Sequence, residues 1–393
     1  MITMKGEHNE ANVMIDDIDE STKTQIQTFL NSPALAKTYV AIMPDCHAGN
    51  GVVVGYTAKM NDLIIPNLIG VDIGCGVLAI KIGNKEIDYE KLDRFIKHNI
   101  PNGFSIRSES DRHLVDGLKM AEEYLIDDIM ATAGATKQLN ESKIIGSLGT
   151  LGGGNHFIEI DKSDDSYWLL IHSGSRNFGL RVATYYQEKA KILTEAMMVP
   201  VTKGLEYMPV WYPFAQDYLT ALGVAQKYAS LNRKIMANVL INYLQAETLE
   251  TIESIHNYIN FDDNIIRKGA ISAHEGERLV IPFNMRDGVA VCTGKGNKKW
   301  NFSSPHGAGR IMSRTAAKKS LSLDEYKETM KGVYTTTANI ETLDEAPMAY
   351  KDFNTIVNAI EETVSVDFVM HPVYNFKAGS ENEERRKNKR KGM

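Results

Sequence analysis

Glycine recurs in five short segments beside Cys, His or Asp, and those segments hold the residues best able to do chemistry. They are PDCHAGNG (44–51), GVDIGCGV (70–77), GSLGTLGGGNHFIE (146–159), HSGSRNFG (172–179) and SPHGAGR (304–310). Glycine costs backbone entropy, so its repetition beside polar residues marks tight turns or a backbone that approaches a ligand. Asp72 and Cys75 stand three apart in one such turn, where both side chains can converge on a point. His156, His172 and His256 follow in separate segments. Thiolate, carboxylate and imidazole together form a mixed ligand set suited to Mn, Fe, Co or Zn. No CxxC pair is present to close a structural zinc site. A shared thiolate would allow two ions, which suits phosphoryl transfer because both the attacking and leaving oxygens are stabilised. Core histidines around an inert cysteine would give the same spacing.

His306 differs from these. It lies in Ser303-Ser304-Pro305-His306-Gly307-Ala308-Gly309-Arg310, where small residues let a large group reach the imidazole. Arg310 and the loop amides suit phosphate oxygens. Neutral imidazole, with an ordinary pKa near ~6.5, is a competent nucleophile at phosphorus. A fourth metal ligand is the alternative reading of this position.

Such segments need a folded scaffold, and the composition supplies one. Hydrophobic residues make up 43% and charged residues 24% of 393, as in a globular protein with a substantial core. The net charge is −6, so any polyanion must be held by a local basic surface or by bound metal. Three cysteines, Cys46, Cys75 and Cys292, argue against a disulfide framework and for a reducing compartment. The N-terminal MITMKGEHNEANV has no apolar h-region, and no apolar run reaches the ~18 residues of a membrane span. The expectation is a soluble cytoplasmic protein with no membrane partner.

The chain alternates between helical and extended patterns, an α+β arrangement. Residues 21–32, 88–98 and 109–135 read as helices, and Val52–Tyr56, Val77–Ile82, Phe157–Ile160, Trp168–Ile171, Leu279–Pro282 and Val373–Phe376 as strands. Between 214 and 250, Phe214, Tyr218, Leu222, Ala225, Tyr228, Ile235, Val239, Leu240 and Tyr243 recur at helical spacing. One long helix, bent near Gly223, or two stacked helices satisfy that pattern. No linker or repeat divides the chain, so residues 1–379 are expected to form one domain. The tail 380–393 is too polar for a core. Its Arg385, Arg386, Lys387, Lys389, Arg390 and Lys391 either release counterions from a phosphate backbone or remain simply solvated.

The motifs GVDIGCG, GTLGGGNHFIE, HSGSRNFG, HNY, RKGA, HGAGR followed by MSR, and PVYNFKA occur in that order. With them the chain resembles the RtcB family of RNA ligases from about residue 40 to Lys377. The resemblance implies a single-domain fold with mixed sheets around a central metal-binding cleft flanked by helices. It implies joining of an RNA 3′-phosphate or 2′,3′-cyclic phosphate to a 5′-hydroxyl with GTP and two Mn²⁺ ions. By resemblance, Asp72, Cys75 and His156 hold one ion, and Cys75, His172 and His256 the other. His306 matches the histidine that becomes guanylylated. The nucleotide contacts carried over are Asn155, His156, Phe157, Ile158, Glu159, Asn257, Pro282, Phe283, Asn284, Met285, Val289, His306, Gly307, Ala308, Gly309, Tyr350 and Lys377. Asp45, Lys143, Arg176 and Arg310 match positions facing the RNA ends, and Lys143 would offer a point charge where relatives carry an arginine. Physiological RNA, oligomeric state and the need for an archease-type activator are left open.

The sequence also departs from that pattern. Where many relatives read IPGSMG, it has Ile281-Pro282-Phe283-Asn284-Met285-Arg286-Asp287-Gly288, and Pro305 precedes His306 where Cys or Ser is common. These changes and the short length point to a divergent subgroup used in repair of cleaved RNA and not in tRNA splicing. His47 is a candidate hydrogen-bond partner of a metal ligand. His274 reads as a surface residue, and Cys46 and Cys292 as buried fillers. Two other classes fit parts of the pattern. A dinuclear metallohydrolase would need the Cys/His/Asp cluster but neither a nucleophilic His306 nor Lys377. A non-catalytic RNA-binding protein would need no open glycine-rich cavity.

Overall fold

A computed structural model describes residues 1–108, 119–136, 141–164 and 166–378. Its architecture is α+β, built on two large sheets. The larger has seven strands, in the order Glu250–Ile255, Gly76–Gly83, Tyr167–Ser173, Phe157–Lys162, Val364–Lys377, Gly288–Gly294 and Arg278–Asn284. All its pairings are antiparallel. The smaller has six, in the order Ile2–Lys5, Glu10–Val13, Val40–His47, Val54–Lys59, Ile265–Lys268 and Asn257–Asn260, with one parallel pair between Glu10–Val13 and Val40–His47. His256 is the residue between the edge strands of the two sheets. The chain therefore crosses from one sheet to the other at a candidate ligand.

The period-two pattern explains the strand faces. In Phe157–Lys162, Ile158 and Ile160 enter one apolar cluster with Leu78, Leu169, Ile171 and Phe376. Phe157 points to the opposite face, beside Val77, Trp168 and Leu170. The strand read from 373–376 extends to Val364–Lys377. Its first half is largely exposed, so hydrophobic patterning could not reveal it.

The periodic segment after Phe214 is one helix, Pro213–Leu244, which runs through Gly223 without a break. At 1.5 Å per residue its 32 residues span about 48 Å. Tyr218, Leu222, Ala225, Tyr228, Ile235, Val239 and Leu240 are buried along it, whereas Tyr243 is exposed and stacks on Phe95 at 3.8 Å. Helices Glu20–Leu30 and Tyr89–Asn99 match the expected spans within a residue or two and are N-capped by Asp19 and Asp88. Of the expected helix 109–135, Lys119–Thr136 is helical, while 109–118 and the tail 380–393 lie outside the described residues. Among the described residues no helix is long and apolar enough to cross a membrane.

Candidate functional site

The structure brings Asp72, Cys75, His156, His172 and His256 together where the two sheets meet. The ligand atoms of Cys75, His172 and His256 lie within 4.8 Å of one another, and so do those of Asp72, Cys75 and His156. Cys75 Sγ is 3.3 Å from His172 Nε2 and 3.5 Å from His156 Nε2. His172 Nε2 lies 3.4 Å from His256 Nε2, and His156 Nε2 lies 3.1 Å from Asp72 Oδ2. The other ring nitrogens are held by main-chain carbonyls, His156 Nδ1 by Leu151 (2.9 Å) and His172 Nδ1 by Asn155 (3.1 Å). Those bonds place a proton on Nδ1 and turn each Nε2 toward the thiol.

The electrostatics favour a cation at this point. Burial, reinforced by neighbouring His156, holds His172 well below the ordinary histidine range, and burial with His306 and His172 does the same for His256. Both imidazoles are thus neutral and available as ligands. Burial and the Asp72 carboxylate push the Cys75 thiol well up. Burial would also raise Asp72, but the hydrogen bond and charge of His156 outweigh it and hold the carboxyl at about 2. Neutral imidazoles, a carboxylate and a thiol shared by two trios fit two divalent ions.

Asn232 and Arg233, on the long helix, tie the ligand-bearing loops together. Asn232 Oδ1 accepts from Thr150 N (3.0 Å), and its Nδ2 donates to the Thr150 and Gly174 carbonyls (3.1 Å each). Arg233 Nη1 donates to the Gly74 (2.8 Å) and Ser173 (2.7 Å) carbonyls, and its guanidinium pairs with Glu253 at 2.7 Å. Both side chains are fully buried, in a segment whose sequence pattern shows only an apolar face.

His306 opens onto a cavity of about 190 Å³ beside these trios and belongs to neither of them. Its ring centroid is 4.8 Å from that of His256. Nδ1 sits 2.6 Å from Asp45 Oδ2, and Asp45 is fully buried at the end of its strand. Close approach of the two loops requires Gly309, at φ +71°, where a Cβ would meet the Asp45 carbonyl at 2.4 Å. The buried carboxylate fixes the imidazole so that Nε2 is the free nitrogen.

The cavity wall contains Asn155, Phe157, Glu159, Pro282, Phe283, Asn284, Met285, His306, Gly307, Ala308, Gly309, Arg310, Arg314, Tyr350 and Lys377. A family model described as tRNA-splicing ligase RtcB matches residues 25–378. The chain belongs to the RtcB family. It is 32% identical to the RNA-splicing ligase RtcB of Escherichia coli over 386 residues, which cover 91% of this chain and 94% of that one. The tRNA-splicing ligases RtcB of Aeropyrum pernix and Pyrobaculum aerophilum are 28% and 27% identical, over 88% and 82% of this chain and 89% and 83% of theirs. Matched over 94% of the Escherichia coli protein, the chain is not set apart from that relative by brevity.

Four positions carried over from the RtcB pattern as nucleotide contacts do not line the cavity. Ile158 faces the opposite side of its strand, in the apolar cluster, because alternation sends every second side chain away. Val289 is buried in a second cluster, cross-strand from Met370 and Pro282. Asn257 is consumed by main chain, accepting from Gly269 N (3.0 Å) and donating to the Asp72 carbonyl (3.3 Å). His156, between the wall residues Asn155 and Phe157, belongs instead to its metal trio.

The positions expected to face RNA also separate. Asp45 is buried against His306 and faces no solvent. Arg310 is tied inward to Glu345 (3.3 Å) and Met312 O (3.1 Å), with its guanidinium 5.1 Å from the Tyr350 ring centroid. Arg176, at φ +56°, donates to Gly103 O (2.7 Å) and Thr150 Oγ1 (3.1 Å). Lys143 is exposed on the helix Glu141–Gly146. His47 Nδ1 approaches the Asp45 carbonyl at 3.0 Å and not a metal ligand. His274 is partly exposed, 2.9 Å from Asp263, and Cys46 and Cys292 are buried.

In the segment 281–288, Phe283 lines the cavity and packs on Phe353 at 4.4 Å. Asn284 and Asp287 close the following turn through a 2.7 Å hydrogen bond.

Glu345, like the wall residues Arg314 and Asn375, is not singled out by the sequence pattern. It is buried, and Lys377 Nζ (2.8 Å), Arg314 (2.9 Å), Arg310 (3.3 Å) and the Tyr350 hydroxyl (2.6 Å) all converge on its carboxylate. It lies within EAPMAYKDF, five residues before Tyr350, and that proximity was the available signal.

Proposed function

We propose that this protein is an RNA ligase that joins a 3′-phosphate or 2′,3′-cyclic phosphate end to a 5′-hydroxyl end with GTP and manganese, through a histidine–GMP intermediate. The observation that carries this reading is His306, buttressed by buried Asp45 and facing a cavity next to two Cys75-sharing ligand trios. A hydrolase that attacks with metal-bound water would form no covalent nucleotide adduct on His306, and the labelling experiment below separates the two readings.

In the proposed sequence, His306 Nε2 attacks the α-phosphorus of GTP, a P–N bond forms and pyrophosphate leaves. Asp45 keeps the Nδ1 proton in place and stabilises the positive ring that develops. A 2′,3′-cyclic end would first take up water and lose its P–O2′ bond to give the 3′-phosphate; the phosphoramidate then yields GMP to that 3′-phosphate, and an anhydride replaces the P–N bond. Attack by the 5′-hydroxyl on the RNA phosphorus forms the phosphodiester and releases GMP. Asp72, Cys75 and His156 would hold one manganese, and Cys75, His172 and His256 a second. The ions would supply Lewis-acid stabilisation of charge on phosphate oxygens. Lys377, held by Glu345 and lying 5.6 Å above the Phe157 ring, supports a base site at the far end of the cavity.

The test is incubation with radiolabelled GTP and Mn²⁺ followed by denaturing electrophoresis. Wild type should carry an acid-labile, base-stable label. His306→Ala should carry none while retaining both metals, and should still join RNA whose 3′-phosphate has been guanylylated chemically. Persistent labelling of His306→Ala would reject this mechanism, and loss of a metal would make His306 a ligand.

A further inference from the structure

The two metal trios draw on four segments of chain, and two adjacent residues of the helix Pro213–Leu244 reach all four. Arg233 has a target beside each ligand of the trio Cys75, His172 and His256. Its Nη1 donates to the carbonyls of Gly74 (2.8 Å) and Ser173 (2.7 Å), which adjoin Cys75 and His172. Nε and Nη2 donate to Glu253 Oε1 (2.9 and 2.7 Å), on the strand that runs into His256. Asn232 serves the other trio. Its Nδ2 donates to Gly174 O (3.1 Å), and a Cβ at Gly174 would lie 2.2 Å from Asp72 Oδ1. Nδ2 also donates to Ser173 Oγ (3.1 Å), which donates in turn to Leu151 O (2.9 Å), the carbonyl that holds His156 Nδ1. Both side chains are fully buried. Replacing a buried ion pair by apolar groups of similar volume is often neutral or stabilising, so packing alone does not call for Arg233. A rigid fork of five donors does what packing cannot, fixing three chain segments relative to one another. Gly74 permits that approach, since a Cβ there would meet Ala229 Cβ and Gln226 Cα at 2.9 Å.

We propose that Asn232 and Arg233 are positioning residues that divide the metal centre between them. Arg233 sets Cys75, His172 and His256 for one ion, and Asn232 sets Asp72 and His156 for the other. The inference rests on the two-ion reading above. The hydrogen bonds of both residues go to main chain, to Glu253 and to Ser173, so each acts on the ligands at one remove. Successive helix positions are turned by about 100°, which lets two neighbours on one buried face serve two adjacent ligand sets. Cys75 is common to both trios, and His172 Nδ1 leans on Asn155 in the loop that Asn232 holds, so each residue has a smaller influence on the other ion. Ser173 gives the division its most specific consequence. It follows His172 in sequence, but its hydroxyl serves His156 of the opposite trio through Leu151.

The experiment is calorimetric titration of the full chain with Mn²⁺ and, as a tighter-binding probe of the same ligands, Zn²⁺. Two backgrounds isolate the sites. His156→Ala leaves only the trio Cys75, His172 and His256, and His256→Ala leaves only Asp72, Cys75 and His156. Arg233→Lys keeps a charge beside Glu253 but has one nitrogen for three segments. It should weaken the ion left in His156→Ala by about 10–100-fold and the ion left in His256→Ala by less than about threefold. Asn232→Ala and Ser173→Ala should show the reverse preference, with the loss of about tenfold or more in His256→Ala. A merely structural role would weaken both ions together. Equal losses in the two backgrounds, no loss, or Ser173→Ala acting on the ion beside His172 would overturn the division. Glu253→Gln, at a partly exposed position, should repeat the Arg233→Lys preference, and with Ser173→Ala it leaves the helix unchanged, so the pattern is readable even where a helix variant fails to fold. Wild type that binds fewer than two Mn²⁺ would overturn the two-ion reading as well, whereas two ions without the preference would overturn the division alone.

Discussion

Replacing Glu345 by Gln removes the one negative charge on which Lys377, Arg310 and Arg314 converge. Burial on its own would raise this carboxyl, but the three cations and the Lys377 hydrogen bond reverse that and hold it at about 2, against an ordinary 4.5. A gap of about 2.5 units, at about 1.36 kcal/mol each, corresponds to about 3 kcal/mol of folding stability. Leaving the largely buried Lys377 and Arg310 without their carboxylate points to a similar cost, roughly 3–5 kcal/mol, while Arg314 keeps Asp344 at 3.0 Å. The sign follows from the depressed pKa. The unfolded chain takes up the proton first as pH falls, so the contribution is complete well above 4.5 and drains away between 4.5 and 2. Linkage gives a loss of about 0.8 kcal/mol by pH 4 and about 1.4 kcal/mol by pH 3.5. Urea unfolding of wild type and Glu345→Gln at pH 7, 4 and 3.5 should therefore show a difference of about 3 kcal/mol that narrows steadily with acid. A difference below about 1 kcal/mol at pH 7, or one that does not narrow, would refute the claim that the cluster is held by this charge.

Three further outcomes are expected. Asp45→Asn keeps the shape beside His306 but removes the charge that steadies the developing imidazolium, so GMP attachment in a single turnover should slow by about 10²–10⁴-fold with nucleotide affinity little changed; a rate within threefold of wild type would reject the role. Cys75→Ala should remove both metal equivalents, because the thiol belongs to both trios, while circular dichroism stays native; two equivalents retained by metal analysis would sink the shared-thiolate arrangement. Lys377→Ala should weaken nucleotide binding by ~1–3 kcal/mol, the range for losing a charged hydrogen-bond partner, and unchanged affinity by calorimetry would remove Lys377 from the base site.

Much of the scaffold was legible because burial imposes a period. The helices at 20–30 and 89–99 bury one stripe each, the helix at 213–244 is buried on most sides with its apolar residues at helical spacing, and the central strands carry apolar runs. Glycine beside ligand-type residues pointed to the metal cluster for a related reason. At Gly174 an added Cβ would lie 2.2 Å from Asp72 Oδ1, so a side chain there would displace a ligand. What periodicity could not show were polar residues buried on otherwise apolar elements. Asn232 and Arg233 lie in a helix whose other buried positions are mostly apolar and aromatic, and only the carbonyls they meet reveal why they are there.

The two partnerships that matter most for the chemistry were hidden for a different reason. His306 and Asp45 are 261 residues apart, and the sequence marks each separately as a glycine-flanked polar residue. Read singly, Asp45 looks like a group for binding a substrate's end, because an exposed loop is where such an acid is usually met. The fold instead buries it at the end of Val40–His47, and Gly309 lets the His306 loop close over it. Lys377 and Glu345 repeat this case, joined only because the last strand of the larger sheet ends beside the segment 343–350. In both pairs a buried carboxylate fixes a side chain that lines the cavity, and burial is what gives the pairing its strength. A signal of that kind requires knowledge of which loops touch, and two-residue or 3.6-residue periodicity contains none of it.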